Sequence, residues 1–125
     1  MTRIIIAGSR QFNDYHKMLT KLDNLGIHLI NSIDPIEIVS GHASGADTLG
    51  ERFAKAYHYP LKIFPAEWDK YGRAAGPIRN EQMAKYAAEA DRGMLIAFPI
   101  GESKGTRNMI KLAQQYGLEI CVIEE

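Results

Sequence analysis

The stretch MTRIIIAGSR, residues 1–10, decides the fold. Its apolar part, Arg3 to Ala7, shows no alternation of apolar and polar residues, which is typical of a strand covered on both faces. The run ends directly in Gly8, Ser9 and Arg10. Glycine lets a backbone come close to a ligand, and serine and arginine donate hydrogen bonds to anions. The sequence therefore predicts a buried parallel strand that opens into a loop suited to a phosphate.

Four further short apolar runs follow along the chain. They are rich in β-branched or large apolar residues and comprise Ile36 to Val39, Leu61 to Phe64, Met94 to Phe98 and Glu119 to Ile123. Longer stretches between them carry apolar residues at helical spacing, such as Met18, Leu22 and Leu29 in the first. Strands that alternate with helices predict right-handed βαβ units. We therefore expect one α/β domain over residues 1–125, with a Rossmann-like, doubly wound, parallel five-stranded sheet, order 3-2-1-4-5, and helices on both faces.

Several residues indicate where the helices begin and end. Asn13 or Asp14 can cap the first helix, and Gly26 weakens its middle, where the helix is expected to break. Pro77 suits the first position of a later helix, and Gly117 suits the end of the last one. These signals fall between the apolar runs, as the alternating pattern requires.

Composition excludes several classes of protein. Lys and Arg together number 15, as do Asp and Glu, so no overall positive field favours sequence-independent binding to nucleic acid. The single cysteine, Cys121, lies in an apolar run, and the four histidines show no metal-ligand spacing. We expect no disulfide, metal or cofactor. The first residues resemble neither a secretory signal nor a membrane span, which predicts a cytoplasmic protein without membrane contact.

The loops after strands 1, 2 and 4 are where a ligand is expected. In the predicted strand order these loops meet at the switch point, where open α/β sheets bind ligands. They are rich in glycines, hydroxyls and helix-initial N–H groups, all of which can hold a phosphate. The expected contacts are Gly8, Ser9, Arg10, Ser40, Gly41, Gly45, Asp47, Gly101, Ser103, Lys104, Gly105 and Thr106. Taken singly, such a loop is more often a turn than a ligand contact, and Asp47 or Thr106 is more often a helix cap. The convergence of the loops is what predicts a binding crevice.

Two common phosphate-binding motifs are missing from these loops. In the segment 101–106 the lysine precedes the glycine, so the segment is not a Walker A loop. The first strand-to-helix turn lacks the three-glycine dinucleotide fingerprint. P-loop ATP hydrolysis and an ordinary NAD dehydrogenase are therefore disfavoured.

The segment after the third strand, residues 65–83, adds aromatic and basic side chains. Trp68 can stack on a base, although a lone tryptophan more often packs, here against the sheet edge. Arg79 can fork onto a phosphate or pair with an acid such as Glu81. We expect it in the first turn of a helix, where a cation opposes the helix dipole, and this favours a ligand contact. Trp68, Arg79 and Asn80 complete the predicted set.

Taken together, these motifs resemble the SLOG superfamily and, within it, the YspA-type, cpYpsA-related family. The resemblance rests on Gly8-Ser9-Arg10, on Ser40-Gly41-x-x-x-Gly45-Ala46-Asp47, on Ala66 to Met83 and on Ser103 to Ile110. The stretches SGHASGAD, Arg79-Asn80 and Ser103-Lys104-Gly105 are also similar to the Rossmann-like core of DNA-processing protein A. Gly105-Thr106 is similar to the glycine-threonine turn of the lonely-guy phosphoribohydrolases. The resemblance implies a nucleotide-type ligand.

The resemblance leaves three functions open. The first is a sensor or binding module for a nucleoside phosphate, an ADP-ribose-like metabolite or a signalling nucleotide, held by backbone donors with Arg10, Arg79 and Lys104. The second is an N-glycosidase like the lonely-guy enzymes, which use an arginine and a glutamate. The third is single-stranded DNA binding, which needs a basic groove and is disfavoured by the zero net charge. The expected partner is a nucleotide-type small molecule, and the chain could also form a homo-oligomer.

The glycosidase hypothesis lacks one expected residue. Arg79 matches the arginine of the lonely-guy enzymes, but Arg107 and Asn108 stand where their glutamate is expected. Glu81 and Asp69 are the catalytic candidates that could replace it. Other loops offer Asp14, Asp47 and Glu67. His42 and Ser44 also stand where Gly and Arg are common in the family, which implies a changed ligand preference.

Overall fold

A computed structural model describes residues 1–124 and shows a sheet of five parallel strands. The strands are β1 (Thr2–Gly8), β2 (Ile36–Ser40), β3 (Leu61–Ile63), β4 (Arg92–Phe98) and β5 (Glu119–Val122). Their order is β3-β2-β1-β4-β5, and Ile4 at the centre of β1 pairs with Ile38 of β2 and Met94 of β4. The predicted fold class and strand order are confirmed.

Six α-helices connect the strands in the described part of the chain. They are α1 (Tyr15–Asn24), α2 (Ile27–Ile33), α3 (Ala46–Ala56), α4 (Trp68–Tyr71), α5 (Ala75–Ala88) and α6 (Lys104–Gln115). A short 3-10 turn, Gly72–Ala74, joins α4 to α5. The longest helix, α5, has 14 residues. Within residues 1–124 no helix combines the length and apolar character needed to cross a membrane.

The core lies on both faces of the sheet, which explains the uninterrupted apolar runs. On one face Ile4 and Ile6 pack with Phe53 of α3 and with side chains of α1 and α2. On the other face Ile5 packs with Met83 of α5 and with side chains of α6. Because successive residues of a strand point to opposite faces, a strand covered by helices on both sides must be apolar at every position.

The first helical region breaks at Gly26, as expected. Gly26 has φ +74°, a left-handed conformation that costs glycine little, and α2 begins at the next residue. Asp14 caps α1 by accepting a hydrogen bond from the Lys17 N–H at 2.9 Å. Leu29, which the sequence pattern assigned to the buried stripe, is 73% exposed. The break redirects the chain so that Ile27 packs on the sheet in its place.

The start of α5 also differs from the expectation. The helix begins at Ala75, so Pro77 is its third residue rather than its first. Proline is still tolerated there, because the first N–H groups of a helix have no acceptor within it. The earlier start moves Arg79 from the expected first turn into the second.

Candidate functional site

The carboxyl ends of the central strands open into a cavity of about 470 Å³, a usual size for a small-molecule site. The loop after β1, the first turn of α3, the outer turns of α5 and the start of α6 form its walls. The predicted residues that line it are Gly8, Ser9, Arg10, Asp47, Trp68, Arg79, Asn80, Ser103, Lys104, Gly105 and Thr106. The cavity lies beside the switch point between β1 and β4.

Four predicted contact residues lie outside this lining. Ser40 is buried below the cavity, and its hydroxyl donates to Glu51 at 2.8 Å. The carbonyl of Gly41 accepts a hydrogen bond from Arg79, and Gly41 borders an adjacent cavity. Gly45 supports the β1 loop from beneath, and Gly101 borders a groove on the outer side of α6.

The loop after β1 is held in place by backbone contacts. A Cβ atom on Gly8 would lie 2.4 Å from the Phe98 carbonyl oxygen, so only glycine fits between β1 and β4. The Ser9 N–H donates to the same carbonyl at 3.0 Å, and the Ser9 carbonyl accepts the Ala46 N–H at 3.1 Å. These contacts bring the loop against the start of α3 and fix the floor of the cavity.

The first turn of α6 presents backbone donors to the cavity. Ser103 precedes the helix, yet no side chain caps the N–H groups of the first turn, and that turn contains no acidic residue. The Ser103 hydroxyl is instead hydrogen-bonded to the Thr106 hydroxyl at 2.7 Å. A Cβ atom on Gly105 would meet nothing within 4 Å. Free N–H groups and the positive end of the helix dipole together favour an anion at this point.

Arg79 crosses between the walls of the cavity. Its Nη1 donates to the Gly41 carbonyl, and its Nε donates to Asn80 Oδ1 at 2.9 Å. Burial lowers the pKa of its guanidinium, and the nearby Asp47 acts in the opposite direction. The alternative that Arg79 pairs with Glu81 is not observed, because Glu81 accepts a hydrogen bond from the Tyr116 hydroxyl at 3.1 Å.

The three basic side chains that line the cavity have no acidic partner. No carboxylate oxygen of residues 1–124 lies within 4.0 Å of a side-chain nitrogen of Arg10, Arg79 or Lys104. Arg10 and Lys104 are exposed at the rim, whereas Arg79 is half-buried. The cavity therefore presents three cationic side chains that make no ion pair within residues 1–124, and Asp47 acts on Arg79 and Arg10 only from a longer distance.

Asp47 is the buried carboxyl group of the cavity. Its Oδ2 accepts the Ala43 N–H at 3.2 Å, so it does not cap the N–H groups of α3. Burial raises its pKa to about 6, against the opposing effects of the Ala43 hydrogen bond and the charge of Arg79. A carboxyl group with this pKa changes its protonation state near neutral pH. Groups with strongly shifted pKa values cluster at functional sites.

Trp68 stands at the mouth of the cavity. It is the first residue of α4 and is 49% exposed, so it does not pack as a core residue. The guanidinium carbon of Arg10 lies 5.8 Å from the centre of its ring. The exposed ring is available for stacking against a planar group.

The two catalytic candidates lie elsewhere. Glu81 and Asp69 are both exposed, and neither lines the cavity. The cavity instead contains the carboxyl groups of Asp47 and Glu102.

Glu51 belongs to the same region and was missed in the sequence. It is buried one turn after Asp47 in α3, where it accepts a hydrogen bond from the Ser40 hydroxyl and contacts His42 Nδ1 at 2.9 Å. The signal that could have found it is the spacing of Asp47 and Glu51, because residues four apart share one face of a helix. An acidic residue on the face that packs on β2 needs a partner there.

The strand order and the cavity define a Rossmann-like α/β protein with a cavity at its switch point. The family model described as YspA, cpYpsA-related SLOG family matches residues 2–71, more than half of the chain, and the chain belongs to this family. The chain is also similar to the Gene 61 protein of Mycobacterium phage D29, with 32% identity over 125 residues, covering 96% of this chain and 94% of that protein. Family membership supports a ligand-binding or nucleotide-processing role.

Proposed function

We propose that the protein binds a nucleotide or nucleotide-derived ligand in the cavity at the carboxyl ends of its strands. The candidates are a nucleoside phosphate, an ADP-ribose-like metabolite and a signalling nucleotide. The observation that carries the proposal is Arg79, a half-buried guanidinium without a carboxylate within 4.0 Å in residues 1–124. A buried charge without a counter-ion lowers stability, and a bound phosphate would supply that counter-ion.

The backbone around Arg79 favours a ligand with a phosphate group over an uncharged ligand. The uncapped first turn of α6 contributes N–H groups on one side, and the glycine-serine turn after β1 lies on the other. Lys104 adds a charge at the rim. A phosphate has three oxygens that can accept bonds from several directions, so it suits donors that converge from two loops and a helix end.

The rest of the cavity suits the nucleoside part of the ligand. Ile100, Met83 and Met109 supply apolar surface in its interior, and Trp68 supplies an aromatic face at the mouth. A base that stacks on Trp68 would bury apolar area there, while the phosphate remains at the helix end.

A second candidate function is N-glycosidic hydrolysis of such a ligand, and Asp47 is the observation that favours it. The pKa of this carboxyl is raised to about 6, and the group lines the cavity close to Arg79. A carboxylate beside the ribose could stabilise an oxocarbenium-like transition state or activate water. Release of free base from a nucleoside monophosphate, abolished by Asp47→Asn, would identify this activity.

Substitution of Arg79 tests the binding proposal. AMP, ADP-ribose, NAD and cyclic dinucleotides would be titrated calorimetrically into the wild type and into Arg79→Gln and Arg79→Lys. Loss of a hydrogen bond to a charged group costs about 1.5–3 kcal/mol, so Arg79→Gln should weaken binding roughly ten- to a hundredfold. Arg79→Lys should recover only part of the affinity, because a point charge does not reproduce the forked contact.

Lys85→Ala is the matched control, because Lys85 is an exposed cation of the same helix outside the cavity. It should leave affinity unchanged. Thermal unfolding without ligand separates binding from folding, since Arg79 also holds the Gly41 carbonyl. Equal nucleotide affinity in the wild type and in a folded Arg79→Gln variant would show that Arg79 is structural and would overturn the proposal.

A further inference from the structure

His42, Glu51 and Ser40 form a second polar cluster beside the cavity. The Glu51 side chain is 9% exposed, whereas that of His42 is 57% exposed. His42 Nδ1 lies 2.9 Å from Glu51 Oε2 and 3.2 Å from Oε1, and the Ser40 hydroxyl donates to Oε2 at 2.8 Å. The Ser40 oxygen also accepts the His42 backbone N–H at 3.1 Å. The imidazole is therefore fixed through both its ring and its backbone.

The backbone of His42 adopts an unfavourable conformation in this arrangement. Its φ is +60°, a left-handed conformation that is unfavourable for a residue with a Cβ atom. Because the Glu51 carboxylate accepts from Nδ1, the proton of the neutral ring is on Nδ1, and Nε2 keeps its lone pair. This is the arrangement by which a carboxylate orients a histidine for proton transfer.

The cluster borders a second cavity of about 370 Å³. This cavity adjoins the first, and Arg10, Trp68 and Arg79 line both. Its charged border consists of the two guanidinium groups, and no carboxyl group of residues 1–124 lines it. Two adjacent cations favour a transition state that gains negative charge, as in attack on phosphorus, over one that gains positive charge, as in cleavage of a glycosidic bond.

We propose that His42, oriented by Glu51 and Ser40, is the general base for hydrolysis of a phosphoanhydride whose two halves occupy the two cavities. This inference rests on the proposed nucleotide site and names its substrate class, a pyrophosphate-linked nucleotide. The oxygen of water bonds to one phosphorus while the bond from that phosphorus to the bridging oxygen breaks. The electron pair stays on the bridging oxygen, which leaves with the second phosphate. The proton of water passes to His42 Nε2 and then to solvent.

The reactivity of His42 can be measured without any ligand. Diethyl pyrocarbonate acylates unprotonated imidazole nitrogens, and peptide mass spectrometry gives the rate at each histidine. His42 should react several-fold faster than His16, His28 and His58, since its side chain is 57% exposed and its Nδ1 is bound to a carboxylate. Glu51→Gln should remove this advantage, because an amide can donate to Nδ1 and so move the ring proton to Nε2. A rate for His42 no greater than that of His16 and His58 would overturn the assignment.

Hydrolysis is tested with ADP-ribose in ¹⁸O-labelled water. The wild type should release AMP and ribose 5-phosphate with one ¹⁸O in the phosphate that was attacked. His42→Asn removes the base but keeps a residue that tolerates left-handed backbone, and it should lose about 10²–10⁴-fold in rate with ADP-ribose affinity retained. His58→Asn is the matched control, because His58 also has φ +60° and lines neither cavity.

The outcomes separate this inference from the binding proposal. ADP-ribose that binds and stays intact, or is cleaved equally fast by His42→Asn, would overturn the role of His42 and leave the binding site standing. Release of adenine in place of AMP would assign glycosidic cleavage instead. Absence of nucleotide binding would overturn the proposed site together with this substrate class, whereas the acylation rates would still decide whether Glu51 activates His42.

Discussion

The two ends of the parallel sheet differ in how their most prominent cations are paired. At the amino end the charges are paired with one another, as in Met1 ammonium with Asp34 and Asp91, Arg3 with Glu37, and Arg92 with Glu119. At the carboxyl end Arg10, Arg79 and Lys104 line the cavity. No carboxylate oxygen of residues 1–124 lies within 4.0 Å of their side-chain nitrogens. The difference separates cations that pair within the fold from cations that, under the proposed function, pair with a ligand.

Arg3→Ala should have the largest effect on stability, because Arg3 is the most enclosed cation of the amino end. Its Nη1 donates to the Tyr86 carbonyl at 2.6 Å, its Nε lies 3.3 Å from Glu37, and its guanidinium carbon is 3.7 Å from the Tyr86 ring centre. The Glu37 side chain is only 16% exposed and would lose its cation. Removing one partner of a largely buried pair should lower the free energy of unfolding by about 2–4 kcal/mol. Urea unfolding measures the loss, and nucleotide affinity should not change.

Arg92→Ala is the control for that substitution. Arg92 also makes two hydrogen bonds to a carboxylate, that of Glu119, but both side chains are about half exposed. Exposed pairs contribute only about 0.2–1 kcal/mol. If the two substitutions cost the same, burial does not distinguish the pairs of the amino end.

Asp47→Asn should change the pH dependence of stability at the carboxyl end. Burial raises the pKa of Asp47 from 3.8 to about 6, so the folded state binds this proton more tightly than the unfolded state. Stability from this group therefore falls as pH rises from about 4 to about 6 and stays low above that range. The change is on the order of 2–3 kcal/mol. Asparagine keeps an acceptor for the Ala43 N–H and has no charge to bury.

Urea unfolding at several pH values measures this effect as a difference between the variant and the wild type. The stability of Asp47→Asn relative to the wild type should increase from pH 4 to pH 7. Asp14→Asn, at an exposed helix cap, is the control and should show no such trend. Parallel stability curves for the wild type and Asp47→Asn would mean that the carboxyl is solvated in the folded state.

The sheet could be predicted from the sequence because its signals are local. An apolar run without alternation marks each central strand, and the handedness of βαβ units then restricts the strand order. Gly26 marked the helix break for the same reason, since its left-handed conformation is a property of one residue. The grouping of the glycine-rich loops followed from the strand order alone.

The side-chain contacts of the site could not be predicted in this way. Arg79 was expected in the first turn of a helix, but the helix begins two residues before Pro77, and the guanidinium reaches the Gly41 carbonyl across the cavity. The importance of Glu51 depends on Ser40, eleven residues earlier, whose hydroxyl meets it only in the folded chain. Such contacts depend on where separate elements pack, and no local pattern encodes them.

Gly105→Ala should have the smallest effect on stability and still test whether a ligand approaches the carboxyl end of the sheet. At Gly8 the protein itself excludes a side chain, because a Cβ atom would meet the Phe98 carbonyl. At Gly105 a Cβ atom would meet nothing within 4 Å, and alanine is favoured over glycine in helices by roughly 0.5–1 kcal/mol. The substitution should therefore leave stability unchanged or raise it by up to about 1 kcal/mol.

Nucleotide affinity should respond in the opposite direction. The added methyl group would stand in the cavity beside the N–H groups of the first turn of α6, where the phosphate is proposed to bind. It should displace a hydrogen bond to the charged phosphate, and this loss lowers affinity by at least a factor of roughly ten. Lys111→Ala, on an exposed position of the same helix, should leave affinity unchanged. Under the proposed function, close approach of a ligand explains why a glycine stands at a position where the protein itself leaves room for a side chain. If Gly105→Ala binds nucleotide as tightly as the wild type, the phosphate does not lie at α6.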